Sequence, residues 1–376
     1  MKIVEINAYI LESRLSQAFS FSQYQYDTRR GLLVEVVTDN GLSGWGESFG
    51  SPEAIRALIN EFKPLVIGHD STAIEVIWES LYNRYRDRGI KGVVISAISA
   101  LDIALWDLMG KRHGVPIYGL LGGAFRDRVQ AYATGMYMQD YDNAERLFQE
   151  EAVSYVDSGF LAMKMKVGFG VNKDIQLVKA VRQVIGPEVG LMIDANHAYD
   201  AVAAIRLGRA IRDLEIDWFE EPVCPENLQG YIECRKALTI PIAGGECEWT
   251  RFGFREILTR HAMDIIQPDL CLAGGISECR KIAAMSNAFA VRYIPHAWGT
   301  GIALAATLQF LAALPPNPLS SYPIEPILEF DQTEHPFRME VISTPIVQVD
   351  GFVKIPQGPG LGVGVNKEAV LRYRVG

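Results

Sequence analysis

One pattern narrows the folds open to this 376-residue chain more than any other: short apolar runs end, one after another, in a charged or metal-seeking side chain at a nearly constant interval. Lys164 and Lys166, Asp194, Glu220, Glu246, Asp269, His296 and finally Glu329 hold these places, and from Lys166 to His296 the successive spacings are 28, 26, 26, 23 and 27 positions. Each spacing is about one strand–helix unit long. The runs themselves have strand length: 163–167 around the lysines, 191–193, 218–219, 240–243, 265–266 and 293–295. Between them, 178–185, 201–214 and 276–290 repeat apolar residues three and four apart, the period of a helix. Strands alternating with helices imply a parallel sheet, and this many of them favour closure into a (β/α) barrel. Strand ends far apart in sequence converge at the C-terminal rim of such a barrel, so two ammoniums, three carboxylates and an Asp/His pair are expected to share one pocket.

The flanks follow a different rule. Segments 32–38 and 42–47 are β-rich arms around Asp39-Asn40-Gly41, a hairpin signature, and helices are expected over 52–62, 72–86 and 93–108, the last ending near Gly110. Strands followed by helices without alternation indicate an α+β domain. Near the other end, 347–353 has the form of a second hairpin, followed by a short helix over 369–373, and with no helix between them these strands are expected to lie against the N-terminal domain. The fold expected is α/β: a modified TIM (β/α) barrel over 126–340, an α+β capping domain over 1–125, and a segment over 341–376 that returns to the cap.

Composition removes several function classes. A net charge of −9 without a run of five Lys or Arg argues against nucleic acid and against an anionic membrane surface, although a local cationic pocket would still suit a small anionic substrate. The opening Met1-Lys2-Ile3-Val4-Glu5 lacks the apolar core of a signal peptide, and no apolar run reaches the roughly 18 residues of a membrane helix. Cys224, Cys234, Cys247, Cys271 and Cys279 are odd in number and form no CxxC, which suits packing roles in a reducing cytoplasm.

A single acid just after a strand is most often a helix cap. Three in succession at barrel phase, Asp194, Glu220 and Glu246, instead describe an oxygen site for a hard dication, Mg2+ by default with Mn2+ as the alternative. Spacing selects Glu220 over its neighbour Glu221, which points to the other face of the strand. Lys164 and Lys166, two apart, share a face turned into the pocket, while Met163, Met165 and Val167 face covering helices. Repulsion and desolvation beside a dication are expected to lower a lysine towards a usable base. Asp269 and His296, at the ends of adjacent strands, suit a carboxylate that fixes the tautomer of an imidazole. Among the other histidines, His197 is placed to touch substrate, three positions past Asp194.

Taken together, Lys164-Met165-Lys166, Asp194-Ala195-Asn196, Phe219-Glu220-Glu221-Pro222, Gly244-Gly245-Glu246, Gln267-Pro268-Asp269 and the 295–300 run Pro-His-Ala-Trp-Gly-Thr resemble the mandelate racemase subgroup of the enolase superfamily over nearly the whole chain, including Gly44-Trp45-Gly46-Glu47. The resemblance implies a capping domain over a modified barrel, an essential Mg2+, and removal of a proton α to a carboxylate to give a metal-stabilised enediolate, chemistry for which the superfamily is a standing example. It also implies a glutamate on the eighth strand, Glu329 in preference to Glu325, and adds Asn196 and Trp298 to His197 and Glu329 as substrate-binding candidates. The expected substrate is a small sugar acid or its lactone and the expected assembly a homo-oligomer. Ring-opening β-elimination of an aldaric acid lactone leads, with acid-sugar dehydration as the alternative and racemisation or epimerisation behind both. A loop over 16–30 and a turn over 44–47 are expected to fold over the barrel mouth, with Arg29 or Arg30 reaching a second substrate carboxylate.

Overall fold

The computed structural model describes residues 1–317 and 320–376. The N-terminal part is an antiparallel sheet in the order β1 (Ile3–Ser20), β2 (Gln25–Thr38), β3 (Ser43–Ser48), covered by α1 (Pro52–Val66), α2 (Ile74–Tyr85) and α3 (Val93–His113). Alternation along the strands turns Ile6, Ile10, Leu32, Val34 and Val36 onto one face, against Ile55, Ile59 and Phe62 of α1 and Ile98 and Leu101 of α3. Gly44 and Gly46 let β3 lie directly on α3: a Cβ at Gly46 would stand 2.0 Å from the Ala100 carbonyl oxygen. By length and composition α3 is apolar enough to cross a membrane, contrary to expectation, but it is the buried central helix of this domain and carries buried Asp102 and Asp107. It runs past Gly110 to a left-handed Gly114.

After the short α4 (Ile117–Leu120) the alternation begins: β4 (Arg128–Gly135), α5 (Ala144–Asp157), β5 (Ala162–Lys166), α6 (Val171–Ile185), β6 (Gly190–Asp194), α7 (Ala201–Ala210), β7 (Ile216–Glu220), α8 (Leu228–Ala237), β8 (Ile242–Gly244), α9 (Thr250–Thr259), β9 (Ile265–Ile266), α10 (Gly275–Ala288), β10 (Arg292–Tyr293), α11 (Gly301–Ala313) and β11 (Leu328–Asp331). The strands from β4 to β10 pair in parallel in sequence order, and β11 returns to pair with β4. No helix follows β11 as in a full (β/α) unit. Instead β12 (Gln348–Val349) and β13 (Phe352–Lys354) form a hairpin, and α12 (Lys367–Tyr373) ends the chain.

Two side-chain layers result from the two-residue strand period. Met163, Met165, Leu191, Ile193 and Phe219 face outward into the helices. Tyr132, Ala162, Met192, Trp218 and Ile265 plug the barrel interior. Two positions further along the same faces come Thr134, Lys164, Asp194 and Glu220, so the polar residues form the layer above the plug.

Three expectations are corrected. Segment 16–30 is no loop but the far end of the β1–β2 ribbon, whose tip bonds the barrel: the Ser22 hydroxyl donates to the Ala195 carbonyl at 2.8 Å and Gln23 Nε2 to that of Asn196 at 3.1 Å. Segment 44–47 is strand, not turn, because its glycines permit close packing on α3. The terminal hairpin does not join the capping sheet; β13 pairs with the start of β4, whose backbone bonds extend beyond the barrel, and α12 is the element that lies against β1, with Val375 N donating to the Ile10 carbonyl.

Candidate active site

Parallel register brings the predicted residues together. Lys166 pairs with Asp194 across β5 and β6, and Asp194 with Glu220 across β6 and β7. Glu246 stands two residues beyond β8, after Gly245, whose φ of 112° turns the chain at the rim. One ligand atom from each of Asp194, Glu220 and Glu246 falls within 4.8 Å of the others.

The surroundings hold this triad in place. Lys166 Nζ donates to Asp194 Oδ2 at 2.5 Å, and Asn196 N donates to Asp194 Oδ1 at 2.8 Å. Lys164 Nζ, fully buried, lies 2.7 Å from Glu220 Oε1 and 2.9 Å from Glu329 Oε1. Glu220 Oε2 accepts from Trp218 Nε1 at 3.0 Å and from Gln267 Nε2 at 2.7 Å. Glu329 accepts from the Thr134 hydroxyl at 2.7 Å and from Ala297 N at 3.2 Å. Glu325 is elsewhere, paired with Arg126 at a half-exposed position, which settles the choice on the eighth strand for Glu329. At the Glu246 end of the triad, His296 Nε2 is 3.6 Å from Glu246 Oε2, and its Nδ1 is 2.7 Å from Asp269 Oδ2.

Charge counting tests the site for a metal. His296 is matched by Asp269, and His197 Nδ1 lies 3.1 Å from Glu221. That leaves Asp194, Glu220, Glu246 and Glu329 against Lys164 and Lys166, four carboxylates to two ammoniums, all enclosed. Two negative charges in excess, lined by carboxylate oxygens, fit one hard dication. The protonation pattern reports the same deficit. Burial drives the Glu246 carboxyl far above its usual range; His296 opposes this, but Glu221, Asp194 and Glu220 add to it. Burial also raises Asp194, yet Lys166 and Lys164 outweigh it and hold that carboxyl low. Burial lowers His296, but Glu246, Glu329 and Asp269 bring it up to about 10, an imidazolium at neutral pH. Glu329 is held at about 2, its burial overcome by Lys164 and His296. The lysines depart from expectation: burial lowers Lys166, but Asp194 more than reverses it, so without a dication the ammonium is tightly held.

The substrate-binding candidates are less uniform. Asn196 and His197 lie just past Asp194 with φ of 42° and 56°, backbone strain that holds both near the rim, and Asn196 Oδ1 is buried without a partner. Trp298 Nε1 is likewise buried without a partner. Neither arginine is free for a substrate. Arg29, only 3% exposed, pairs with Asp331 and donates to the Glu334 carbonyl, and Arg30 turns outward to Glu12 and Glu53.

Residues without a predicted role also reach the site. Trp218 and Gln267 hold Glu220; Trp218 could have been found by its position two before Glu220 on the same strand face. Thr134 carried the same signal, a polar residue in phase at the end of β4. Phe21 and Tyr26 lie in the aromatic-rich 16–30 segment expected over the barrel mouth, and Tyr26 packs against Trp298; Phe49 carried no signal, because its contact with His296 crosses between domains. A separate cavity of about 370 Å³ opens by the N-terminal end of β10, between the ends of α10 and α11; Glu325 lines it, and none of the residues gathered at the site does.

Comparison with known proteins agrees with this geometry. Residues 5–122 match the family profile "Mandelate racemase / muconate lactonizing enzyme, N-terminal domain" and 133–369 match "Enolase C-terminal domain-like". The chain is 45% identical to D-galactarolactone cycloisomerase of Agrobacterium fabrum, with 100% of this chain and 99% of that protein aligned. It is 36% identical to arabinonate dehydratase of Saccharolobus solfataricus over 91% of this chain and 90% of that one. Among solved structures, the 3,6-anhydro-D-galactonate cycloisomerase of Zobellia galactanivorans superposes with a TM-score of 0.91 at 39% identity, covering 100% of both chains. A racemase from Streptomyces coelicolor A3(2), solved with bound magnesium, gives 0.89 at 28% identity over 99% of this chain and 100% of that one.

Proposed function

Because the chain belongs to the mandelate racemase / muconate lactonizing enzyme family of the enolase superfamily, we propose that it removes the proton α to the carboxylate of a cyclic sugar acid derivative and expels the ring oxygen on the β-carbon. The observation that carries this reading is the placement of Lys166 and His296 at the two ends of the carboxylate triad, one bonded to Asp194 and the other beside Glu246. Mg2+ held by Asp194, Glu220 and Glu246 would supply Lewis acidity toward the substrate carboxylate and relieve the triad's charge, loosening the hold of Asp194 on the Lys166 proton, and Mn2+ suits the same oxygen set.

Lys166 takes the α-proton. Lys164, fixed between Glu220 and Glu329, stabilises negative charge developing on the substrate carboxylate. The bond from the β-carbon to the ring oxygen breaks with its electron pair leaving on oxygen. His296, oriented by Asp269, is the proton donor that completes the sequence: the enol left by the elimination gains a proton at the β-carbon while its hydroxyl releases one, which gives a 2-keto acid and conserves mass. Asn196, His197, Trp298 and Glu329 contact the substrate. The likeness to D-galactarolactone cycloisomerase supports an aldaric acid lactone such as galactarolactone as substrate. The likeness to arabinonate dehydratase supports a second reading, in which the same groups expel a β-hydroxyl as water.

Exchange of the substrate α-proton with solvent deuterium, followed by NMR on an aldarate lactone with Mg2+, tests the assignment. Lys166→Ala and His296→Asn should each lose about 10² to 10⁴ in rate. If both variants exchange as fast as the unmodified enzyme, neither residue moves the α-proton and the reading fails.

A further inference from the structure

The barrel repeat that gathers the carboxylate triad gathers a second set of ligand atoms beside it. His197 follows Asp194 by three positions, Glu221 follows Glu220 by one and Cys247 follows Glu246 by one, so each stands in the rim loop after β6, β7 or β8. One ligand atom from each of His197, Glu221 and Cys247 lies within 4.8 Å of the others. The first two loops are fixed to each other: His197 N donates to the Glu221 carbonyl at 2.8 Å, and Tyr199 and Val223 form a parallel bridge just beyond. Whereas the triad faces Lys164 and Lys166, Glu221 has no ion-pair partner except His197 among the described residues.

Hydrogen bonding leaves this cluster unfinished. Glu221 is 1% exposed; its Oε2 lies 3.1 Å from His197 Nδ1, but its Oε1 has no partner. The Tyr231 hydroxyl is also buried without a partner. Burial pushes this phenol well above its usual range, and Glu221 and Cys247 add to the rise, which puts the hydroxyl beside the same cluster. Unpaired polar atoms that no solvent reaches cost stability, and two at one place mark a position that a ligand completes. The donor set says which ligand. Mg2+ takes oxygen, whereas thiolate, imidazole and carboxylate together suit Zn2+. A tetrahedral ion with bonds of about 2.0–2.3 Å draws its ligand atoms to about 3.3–3.8 Å from one another, so these three need move only about 1 Å. The His197 side chain is 27% exposed and gives the ion a way in from solvent.

We propose that His197, Glu221 and Cys247 form a second metal site, for Zn2+ or a dication of like softness, beside the Mg2+ site. Binding sends the thiol proton of Cys247 and the imidazolium proton between His197 and Glu221 to solvent, two protons for one dication, so the net charge of the cluster is unchanged. Water fills the fourth position, as in other zinc sites with three protein ligands. The ion cross-links the three loops that follow the Mg2+ ligands and fixes His197, which gives the protein a response to Zn2+ while Mg2+ stays in place. The site needs no substrate and is independent of the proposed reaction.

Isothermal titration of Zn2+ into the protein at saturating Mg2+ should show one Zn2+ per chain, with an affinity that changes less than about twofold when Mg2+ is raised about tenfold. Cys247→Ser should weaken Zn2+ by about 100-fold or more and leave Mg2+ affinity within about threefold of the parent. Cys224→Ser, at an exposed thiol 4.0 Å from the His197 carbonyl, should bind Zn2+ as the parent does. Co2+ in place of Zn2+ should give the near-ultraviolet absorption of a thiolate–metal bond, present in Cys224→Ser and absent in Cys247→Ser. Should Cys247→Ser fail to fold, Glu221→Gln serves instead, with the same loss of Zn2+ affinity. Zn2+ that Mg2+ displaces in proportion sits on the carboxylate triad and overturns the proposal, as does a Co2+ complex without the thiolate band or a Zn2+ affinity unchanged in Cys247→Ser. No substrate enters these measurements, so failure of the proposed reaction would leave their outcome standing.

Discussion

Glu47→Gln probes how the cap is joined to the barrel. The Glu47 carboxylate, at the end of β3, reaches the N-terminus of α11, where it accepts from Thr300 N at 2.8 Å, from Ala303 N at 3.0 Å and from the Thr300 hydroxyl. Thr300 closes the loop that carries His296 and Trp298, so this bond set ties the capping sheet to the site. Burial raises the Glu47 carboxyl from 4.5 to about 7; the helix donors oppose the rise and Asp269 adds to it. Because the folded-state value is raised, the folded protein keeps a proton that the unfolded chain has released. The associated stability is fully present below the unfolded value and is lost as pH rises through about 7. At 1.36 kcal/mol per pKa unit, this shift sets a ceiling of about 3 kcal/mol. Glutamine does not titrate, but it turns an amide N–H₂ toward backbone donors at a cost of about 1–3 kcal/mol. Urea unfolding of both proteins from about pH 5 to about pH 8, at one Mg2+ concentration, should therefore show the variant less stable at the acid end and the gap narrowing by up to about 3 kcal/mol as pH rises. A gap that stays constant or widens with pH would refute the account of Glu47.

Three further outcomes follow from the structure. Glu246→Gln removes one of four carboxylates facing two ammoniums and should weaken Mg2+ binding by about 100-fold or more in isothermal titration; unchanged affinity would take Glu246 out of the metal site. Mg2+ at 100 times its Kd should add about 2.7 kcal/mol of stability, so a melting temperature indifferent to EDTA would contradict the charge count. Gly46→Ala forces a Cβ to within 2.0 Å of the Ala100 carbonyl oxygen, a backbone atom that cannot turn aside, and should cost roughly 3 kcal/mol in urea unfolding; a stability equal to that of the parent would show that β3 and α3 can separate freely.

Lys164, Lys166, Asp194 and Glu220 were readable from spacing because two local periods coincide. The two-residue strand period sets which face a side chain takes, and the strand–helix repeat sets which strand end it occupies. Glu246 and His296 lie past the ends of very short strands, β8 and β10, and were still found because the repeat length carries through the turn. The 16–30 segment was misjudged for the opposite reason: its Ser, Gln and aromatic residues have loop composition, and only pairing with the other arm of the ribbon makes strands of them. The terminal hairpin was assigned to the wrong sheet because a strand's own sequence does not say which open edge it will meet.

By itself, then, the sequence determined the class of fold, the alternation of barrel strands with helices and most of the charged residues of the polar layer, since all of these depend on periods that repeat within one or two elements. Tertiary structure alone decided the partners. Arg29 meets Asp331 across 302 positions and Glu47 meets Thr300 across 253, and no local period links residues so far apart. Whether an arginine faces a ligand or is neutralised by a buried aspartate, and whether a lysine is freed or pinned by a carboxylate, depends on distances of a few ångströms between separate elements. Those distances are set by how the cap and barrel pack, which is why the charged residues of the site were visible before folding and their pairing was not.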